Sequence, residues 1–152
     1  MDMNARAGSI EDAEKCAEIV SNWITKTEWM PRLFNQSELI IMIEEAIPKR
    51  EFWVVGHPVV GYLSFDVELL QVSALYTSIP GNGVGKTLID RIKERYNYIQ
   101  LWSHSENKHA HRFYRREGFN SISAKEKGGD GIPETQFEWR THSIRQILGR
   151  ED

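Results

Sequence analysis

The chain has 152 residues, with 19 Lys and Arg against 22 Asp and Glu for a formal net charge of −3, and 40% of it is apolar and 27% charged. This length is that of one domain, the composition excludes a disordered or collagen-like chain, and the interspersed charges offer no single-sign block to nucleic acid or to a membrane surface. The longest apolar run, Leu39 to Ile43, is far short of the ~20 residues of a membrane helix, and the N-terminal segment MDMNARAGSIEDAEK has no apolar signal-peptide core, so the expected compartment is the cytoplasm.

Ser9 reads as a helix N-cap with Asp12 three residues on, and Ala13, Cys16, Ala17, Val20, Trp23 and Ile24 follow at helical spacing. Cys16, the single cysteine, sits on this stripe, has no partner for an internal disulfide and reads as a core residue. Residues 28–34, EWMPRLF, combine large apolar side chains with Pro31 and Arg32 and read as an ordered loop. A second helix is expected from about Ser37, with Leu39, Ile40, Ile43 and Ile47 as its stripe and Pro48 closing it.

From Phe52 the pattern turns to strands. Phe52 to Val55 and Val59 to Phe65 flank a Gly56-His57-Pro58 turn as a hairpin, and Gln71 to Thr77 is a third strand. Pro80-Gly81-Asn82-Gly83-Val84-Gly85-Lys86 then leads into a helix whose apolar face is Val84, Leu88, Ile89, Ile92 and Tyr96. Tyr98 to Trp102 is a short buried strand and Asn107 to Glu117 a helix ended by Gly118. A strand from Phe119, an exposed loop over Lys125 to Pro133, and a last strand with Phe137 and Trp139 on one side complete the chain. No repeat or linker divides it. The reading is one domain over 1–142 and a tail over 143–152.

A strand, three glycines and a helix make a phosphate cradle, because missing side chains let an anion approach amides at the positive end of the helix. The same glycines also serve a loop that merely turns sharply. The nucleotide-binding pattern GxxxxGK[ST] fails, since Gly85-Lys86-Thr87 would need glycine where Pro80 stands. The dinucleotide pattern GxGxxG fails as well, with Lys86 or Leu88 at its third glycine.

Asn107-Lys-His-Ala110-His-Arg-Phe113-Tyr114-Arg-Arg-Glu-Gly118-Phe119 begins 22 residues after Gly85. Its pattern NxxAxxFYxxxGF resembles the later helix of the GCN5-related N-acetyltransferase (GNAT) family, and Leu75-Tyr-Thr followed by Gly81-Asn-Gly83-Val-Gly85 resembles that family's pyrophosphate loop. Together the motifs cover Val72 to Phe119. Pro80 is a departure, since the family loop usually has Gln or Arg there. The resemblance implies an α/β fold, a mixed and mainly antiparallel sheet with helices on both faces, and transfer of acetyl from acetyl-CoA to a primary amine by direct attack, with no metal. The acceptor would be a small-molecule amine or a protein amino group, with neither nucleic acid nor membrane as partner; a homodimer is one expected assembly.

Residue by residue, the resemblance implies that Gly81, Asn82, Gly83, Val84, Gly85 and Lys86 present amides to the pyrophosphate. Leu75, Tyr76 and Thr77 would bond the pantetheine arm, an amide near Tyr76 would stabilise the oxyanion, Asn107 would bond the cofactor and Tyr114 would protonate the departing thiolate. Tyr114 also fits a core aromatic. An alkylamine is mostly protonated at neutral pH, so a base is needed; Glu68 is the first candidate, with Asp66 and Glu134 behind it. Trp29, Met30 and Arg32 lie in the connection that, by resemblance, covers the acceptor pocket. Lys108, Arg112, Arg115 and Arg116 read as a solvated face. His104, His109 and His111 have no i,i+4 pairing and no thiolate companions, which argues against a metal site. The competing functions are an acyl-CoA-binding module without turnover and a P-loop nucleotide hydrolase.

Overall fold

The computed structural model describes residues 2–141; the expected tail over 143–152 lies outside them. Two compact units, Met1–Arg91 and Ile92–Asp152, divide the chain. In the first, β1 (Ala5–Ala7), β2 (Glu51–Val55), β3 (Gly61–Asp66) and β4 (Gln71–Thr77) pair in sequence order, each antiparallel to the next. Phe52 lies opposite Ser64 and Val54 opposite Tyr62, while Tyr62 faces Tyr76 and Ser64 faces Ala74. Because strand side chains alternate, Phe52, Val54, Tyr62, Ser64, Ala74 and Tyr76 share one face. The register slips beside Ser64, and Ser73 is the extra residue of β4.

That face carries α1 (Ala13–Lys26) and α2 (Gln36–Ala46). The stripe foreseen for α1 is its buried side, with Ala13, Cys16, Ala17, Val20 and Ile24 in one cluster with Leu39 and Ile43 of α2 and Phe52, Val54 and Tyr62 of the strands. A line of aromatic rings runs through this cluster. Trp29 meets Trp23 edge-on at 5.7 Å, Trp23 meets Tyr76 at 5.4 Å, Tyr76 stacks on Tyr62 at 5.9 Å, and Tyr62 stacks on Phe52 at 5.3 Å. α2 starts slightly before Ser37, because Asn35 is the cap: its side chain accepts from Glu38 N at 2.9 Å and Glu38 Oε1 accepts from Asn35 N at 3.0 Å.

On the other face, α3 (Val84–Arg95) approaches at Gly61. A Cβ on Gly61 would sit 2.5 Å from Val84 Cγ1, so only glycine lets the first turn of α3 come this close to β3. The strand β1 was not foreseen. It is three residues long and lies at an edge, too short for the alternation of Ala5, Arg6 and Ala7 to separate it from a polar leader.

The second unit is built on β5 (Tyr98–His104), β6 (Asn120–Lys125) and β7 (Glu134–Arg140), with β7 between the other two and both pairings antiparallel. α4 (Lys108–Arg116) buries His111 and Tyr114, and Gly118 follows it at φ +91°, the left-handed position expected after a helix. Tyr114 lies 5.6 Å from Phe119 and 5.8 Å from Phe137 between ring centres. Phe137 and Trp139 do face one way, both buried. Among the described residues no helix is long and apolar enough to cross a membrane.

Before α1, Arg6 grips Asp12 with both guanidinium arms, at 3.0 and 3.2 Å, while Ser9 N donates to Asp12 Oδ2 at 2.9 Å. Burial opposes the charge on Asp12, but the hydrogen bonds from Arg6 and Ser9 outweigh it and hold the carboxyl below its ordinary 3.8. A depressed carboxyl pKa stabilises the fold above the unfolded-state value, and that gain is lost as pH falls through the folded value. Asp12→Asn is therefore expected to cost about 1–2 kcal/mol at pH 7. Urea denaturation of both proteins should show the difference shrinking as the pH is lowered below 3.8; an equal gap at every pH would separate the stabilisation from the carboxylate.

Candidate functional site

The glycine loop is built by its neighbours. Ser78 N donates to Val60 O at 2.8 Å, tying the end of β4 to the entry of β3, and Thr77 Oγ1 accepts from Ile79 N at 3.2 Å. The Asn82 carboxamide donates to Ile79 O at 3.2 Å, so its side chain folds the loop over itself. Gly81 and Gly83 stand at φ +82° and +77°, and an added Cβ would meet nothing within 4 Å at either one. The glycines are there for the backbone path and leave open space above it. Gly83 O accepts both Thr87 N and Thr87 Oγ1 at 3.0 Å, closing the first turn of α3, and Val84, 2% exposed, pins that turn to the strands.

At this end a helix turns its first amides outward, where they carry partial positive charge. Open space, two left-handed glycines and a helix start fit a diphosphate. The Lys86 ammonium pairs with Asp90 at 3.2 Å along the helix surface, so Lys86 faces the loop through its amide. Leu75, Tyr76 and Thr77 are half-buried in the last turn of strand before the loop.

Other expected site residues have structural partners. Asn107 caps α4, its Oδ1 accepting from Ala110 N at 3.1 Å, so it stands before the helix and not on its face. Tyr114 is 8% exposed. Trp29 packs on Trp23, and Met30 packs against the core cluster. Arg32 is a clamp: its guanidinium donates to Thr25 Oγ1 at 2.7 Å, Ser21 O at 2.8 Å and Phe34 O at 3.3 Å, fastening the connection onto α1.

Glu68 lies in the exposed β3–β4 turn, where Asp66 Oδ1 accepts from the amides of Glu68 and Leu69 at 3.0 and 3.1 Å. This turn precedes β4 and the glycine loop follows it. At strand rise the six steps from Gln71 to Thr77 span about 20 Å, so Glu68 and Asp66 are not brought to the loop.

An unforeseen constellation lies in the second unit. His104 ends β5 opposite Glu134 at the start of β7, and Asp130 reaches back from the β6–β7 loop to place Oδ2 2.6 Å from His104 Nε2. Ligand atoms of all three lie within 4.8 Å of one another. One imidazole and two carboxylates are a donor set that could hold a divalent cation, yet each already has a protein partner: Lys125 Nζ lies 3.4 Å from Glu134, and His104 Nε2 is bonded to Asp130 Oδ2. Gly128 lies so close to the Glu134 carboxylate that a Cβ there would make that side chain turn aside. Both strands are legible in the sequence, but their pairing across α4 and β6 is not, which hides the meeting of residues so far apart in the chain.

His111 has a separate, structural place. It is 4% exposed, its ring lies 4.9 Å from that of Phe137, and Nε2 donates to His104 O at 3.0 Å. Burial lowers its pKa, and Lys108 and Arg115 push the same way. A neutral imidazole fits this core bond.

Residues 14–141 match the family model described as an acetyltransferase (GNAT) domain, one domain across both units. Comparison with curated protein sequences gives no match. Solved structures share the fold. The apo form of YjaB from Escherichia coli is 20% identical with a TM-score of 0.74, covering 91% of this chain and 98% of its own. The yncA protein of Salmonella typhimurium, solved with its cofactor acetyl-CoA, is 18% identical with a TM-score of 0.70, covering 92% and 94%. A phosphinothricin acetyltransferase from Sinorhizobium meliloti, also in complex with acetyl-CoA, is 15% identical with a TM-score of 0.69, covering 92% and 89%.

Because nothing crowds Gly83, its substitution isolates backbone strain. Gly83→Ala is expected to cost about 1–2 kcal/mol. Gly129, equally uncrowded and outside the left-handed region, is the control: Gly129→Ala should be neutral or stabilise by about 0.5 kcal/mol. Thermal melts of the two variants give the comparison, and equal midpoints would mean that the loop relaxes out of its left-handed turn.

Proposed function

Because the chain belongs to the GNAT family of acetyltransferases, we propose that it moves the acetyl group of acetyl-CoA to a primary amine by direct attack in a ternary complex. The observation that carries this reading is the loop at the start of α3, with Gly81 and Gly83 in left-handed backbone and open space above them. Acetyl-CoA supplies, when bound, an acyl group on a good thiolate leaving group. The amides of Gly81 to Lys86 bind its pyrophosphate, aided by the α3 dipole, and the main chain of Leu75 to Thr77 orients the pantetheine arm. Direct attack by the amine uses no enzyme nucleophile. Cys16 fits that, since it is fully buried and its thiol is pushed up to about 12, first by burial and then by Asp12.

In this reading Tyr114 donates the proton to the departing sulfur. The base role falls first on Glu68, in the turn before β4, with Asp66 and Glu134 behind it; distance from the glycine loop does not decide among them, because the amine loses its proton at the thioester and not at the pyrophosphate. Alternation along β7 turns Glu134 to the face opposite Phe137, and Tyr114 packs against Phe137. Glu134 therefore stands on the other side of the β5–β7 pair from Tyr114, and groups on two faces of one sheet cannot both attend the same tetrahedral carbon, which ranks Glu134 behind Glu68.

The competing reading as a nucleotide hydrolase is disfavoured by Pro80 at the required glycine. Stabilisation by CoA but not by ATP in thermal melts supports the proposal, and thiol release from acetyl-CoA in the presence of amines separates an enzyme from a binding module. Stabilisation by ATP alone would overturn it.

Tyr114→Phe keeps the ring in its aromatic cluster and removes the hydroxyl. Single-turnover rates at saturating acetyl-CoA and acceptor are expected to fall about 10²-fold, and those of Glu68→Gln by 10² to 10³-fold, as is usual for acid–base groups. Acetyl-CoA affinity should hold in both. A parental rate in either variant would remove that residue from proton transfer.

A further inference from the structure

The face shared by β2, β3 and β4 under α1 and α2 is not filled. Between Tyr62, Ser64, Ala74 and Tyr76 of the strands and Ile43 and Ala46 of α2 remains a cavity of about 200 Å³. Two features distinguish it from a packing defect. Ser64 is 3% exposed, lines the cavity, and its Oγ has no hydrogen-bond partner; a buried unpaired hydroxyl is costly, and alanine would fit the same place without that cost. Among the described residues Arg50 is the one charged residue of the lining, exposed just before β2, and it has no carboxylate partner there. Among the described residues no acidic side chain lines the cavity.

These groups are spaced along the strands. Tyr62 pairs with Tyr76, Ser64 pairs with Ala74, and Arg50 precedes Glu51, the partner of Phe65. Counted from the level of Tyr76, Ser64 is therefore two residues along, about 7 Å, and Arg50 four, about 13 Å, before its side chain reaches back.

We propose that this cavity receives the body of the acceptor, and that the acceptor is a linear amino carboxylate: a primary amine at the Tyr76 end, an apolar body with one carbonyl to which Ser64 Oγ donates, and a carboxylate at the far end paired with Arg50. The inference rests on the acetyl-transfer reading, which runs the pantetheine arm along Leu75 to Thr77 and so puts the thioester beside Tyr76. Transfer forms the amide N–C bond and breaks the C–S bond; the amine gives up one proton and the thiolate takes one up. A polyamine or an aminoglycoside has the wrong charge for this lining, because its second ammonium would meet Arg50 and no carboxylate.

The test uses the full chain and defined amines. With saturating acetyl-CoA, thiol release is measured for 4-aminobutyrate, 8-aminooctanoate, the methyl ester of 8-aminooctanoate, spermidine and 4-aminobutyrylglycine. Both long carboxylates are expected to exceed 4-aminobutyrate, spermidine and the ester at least 10-fold in kcat/KM. Arg50→Met should abolish the preference of acid over ester, which a merely structural arginine would not do. 4-Aminobutyrylglycine, with its carbonyl near Ser64, should exceed 8-aminooctanoate, and Ser64→Ala should melt no lower than the parent yet lose that advantage.

An ester as good as its acid, spermidine as the best acceptor, or an unchanged acid-to-ester ratio in Arg50→Met would overturn the inference. Calorimetry of 8-aminooctanoate on the CoA-saturated protein separates it from its premise. Protein that binds CoA but not the amino carboxylate refutes the cavity assignment alone, whereas protein that fails to bind CoA refutes the acetyl-transfer reading and this inference with it.

Discussion

The contact of Val84 with Gly61 governs the first unit. Val84 is the first residue of α3, and it lies against the strand at a distance that leaves no room for a side chain on Gly61. The end of the helix is thereby held against β3, where Ser78 also returns to Val60. A larger residue at either place would lift the helix start, and with it the amides that face the loop. The flexible-looking run of glycines is thus fixed at its exit by core packing, and the loop between can be open without being loose.

Polar groups in the structure divide into those that hold the frame and those that have capacity to spare. Arg32, Asn35, Asn82 and Asn107 look reactive in a sequence, yet each is engaged in binding backbone: a connection, two helix starts and a loop. Their conformations cost entropy and are repaid by satisfying backbone groups that would otherwise lack partners. Ser64 and Arg50 are the reverse case. Neither is needed to complete the frame, and the hydroxyl of Ser64 carries a penalty that the folded chain alone leaves uncompensated.

Most elements were legible because their periodicities are strong. α1 announces its buried side through Ala13, Cys16, Ala17, Val20 and Ile24, and β4 was bounded at Gln71 and Thr77 as observed. The motif that begins at Asn107 and ends at Phe119 also lies within one helix and its exit, so local pattern was enough. What escaped depends on pairing. β1 has meaning only beside β2, and His104 meets Glu134 only because β7 inserts between β5 and β6. The order of Glu68 before β4 was visible, but its separation from the loop follows only once the strand is extended, since the same seven residues as a helix would bring the ends to about half that distance. The cavity beside Ser64 had no signal, because a serine on a buried strand face looks the same whether or not the opposite helix fills the space.

The burial of Cys16 has a practical corollary. Its side chain is the chain's only thiol, it is fully enclosed, and with an ionisation near 12 about one molecule in 10⁴ would carry a thiolate at pH 8. A disulfide dye such as an aromatic disulfide reacts with thiolates within its reach, so the folded protein is silent to it. Colour that develops in a reaction mixture therefore counts free CoA from the first second, without a protein blank, and a slow rise in the absence of any acyl donor would report the chain opening and not turnover.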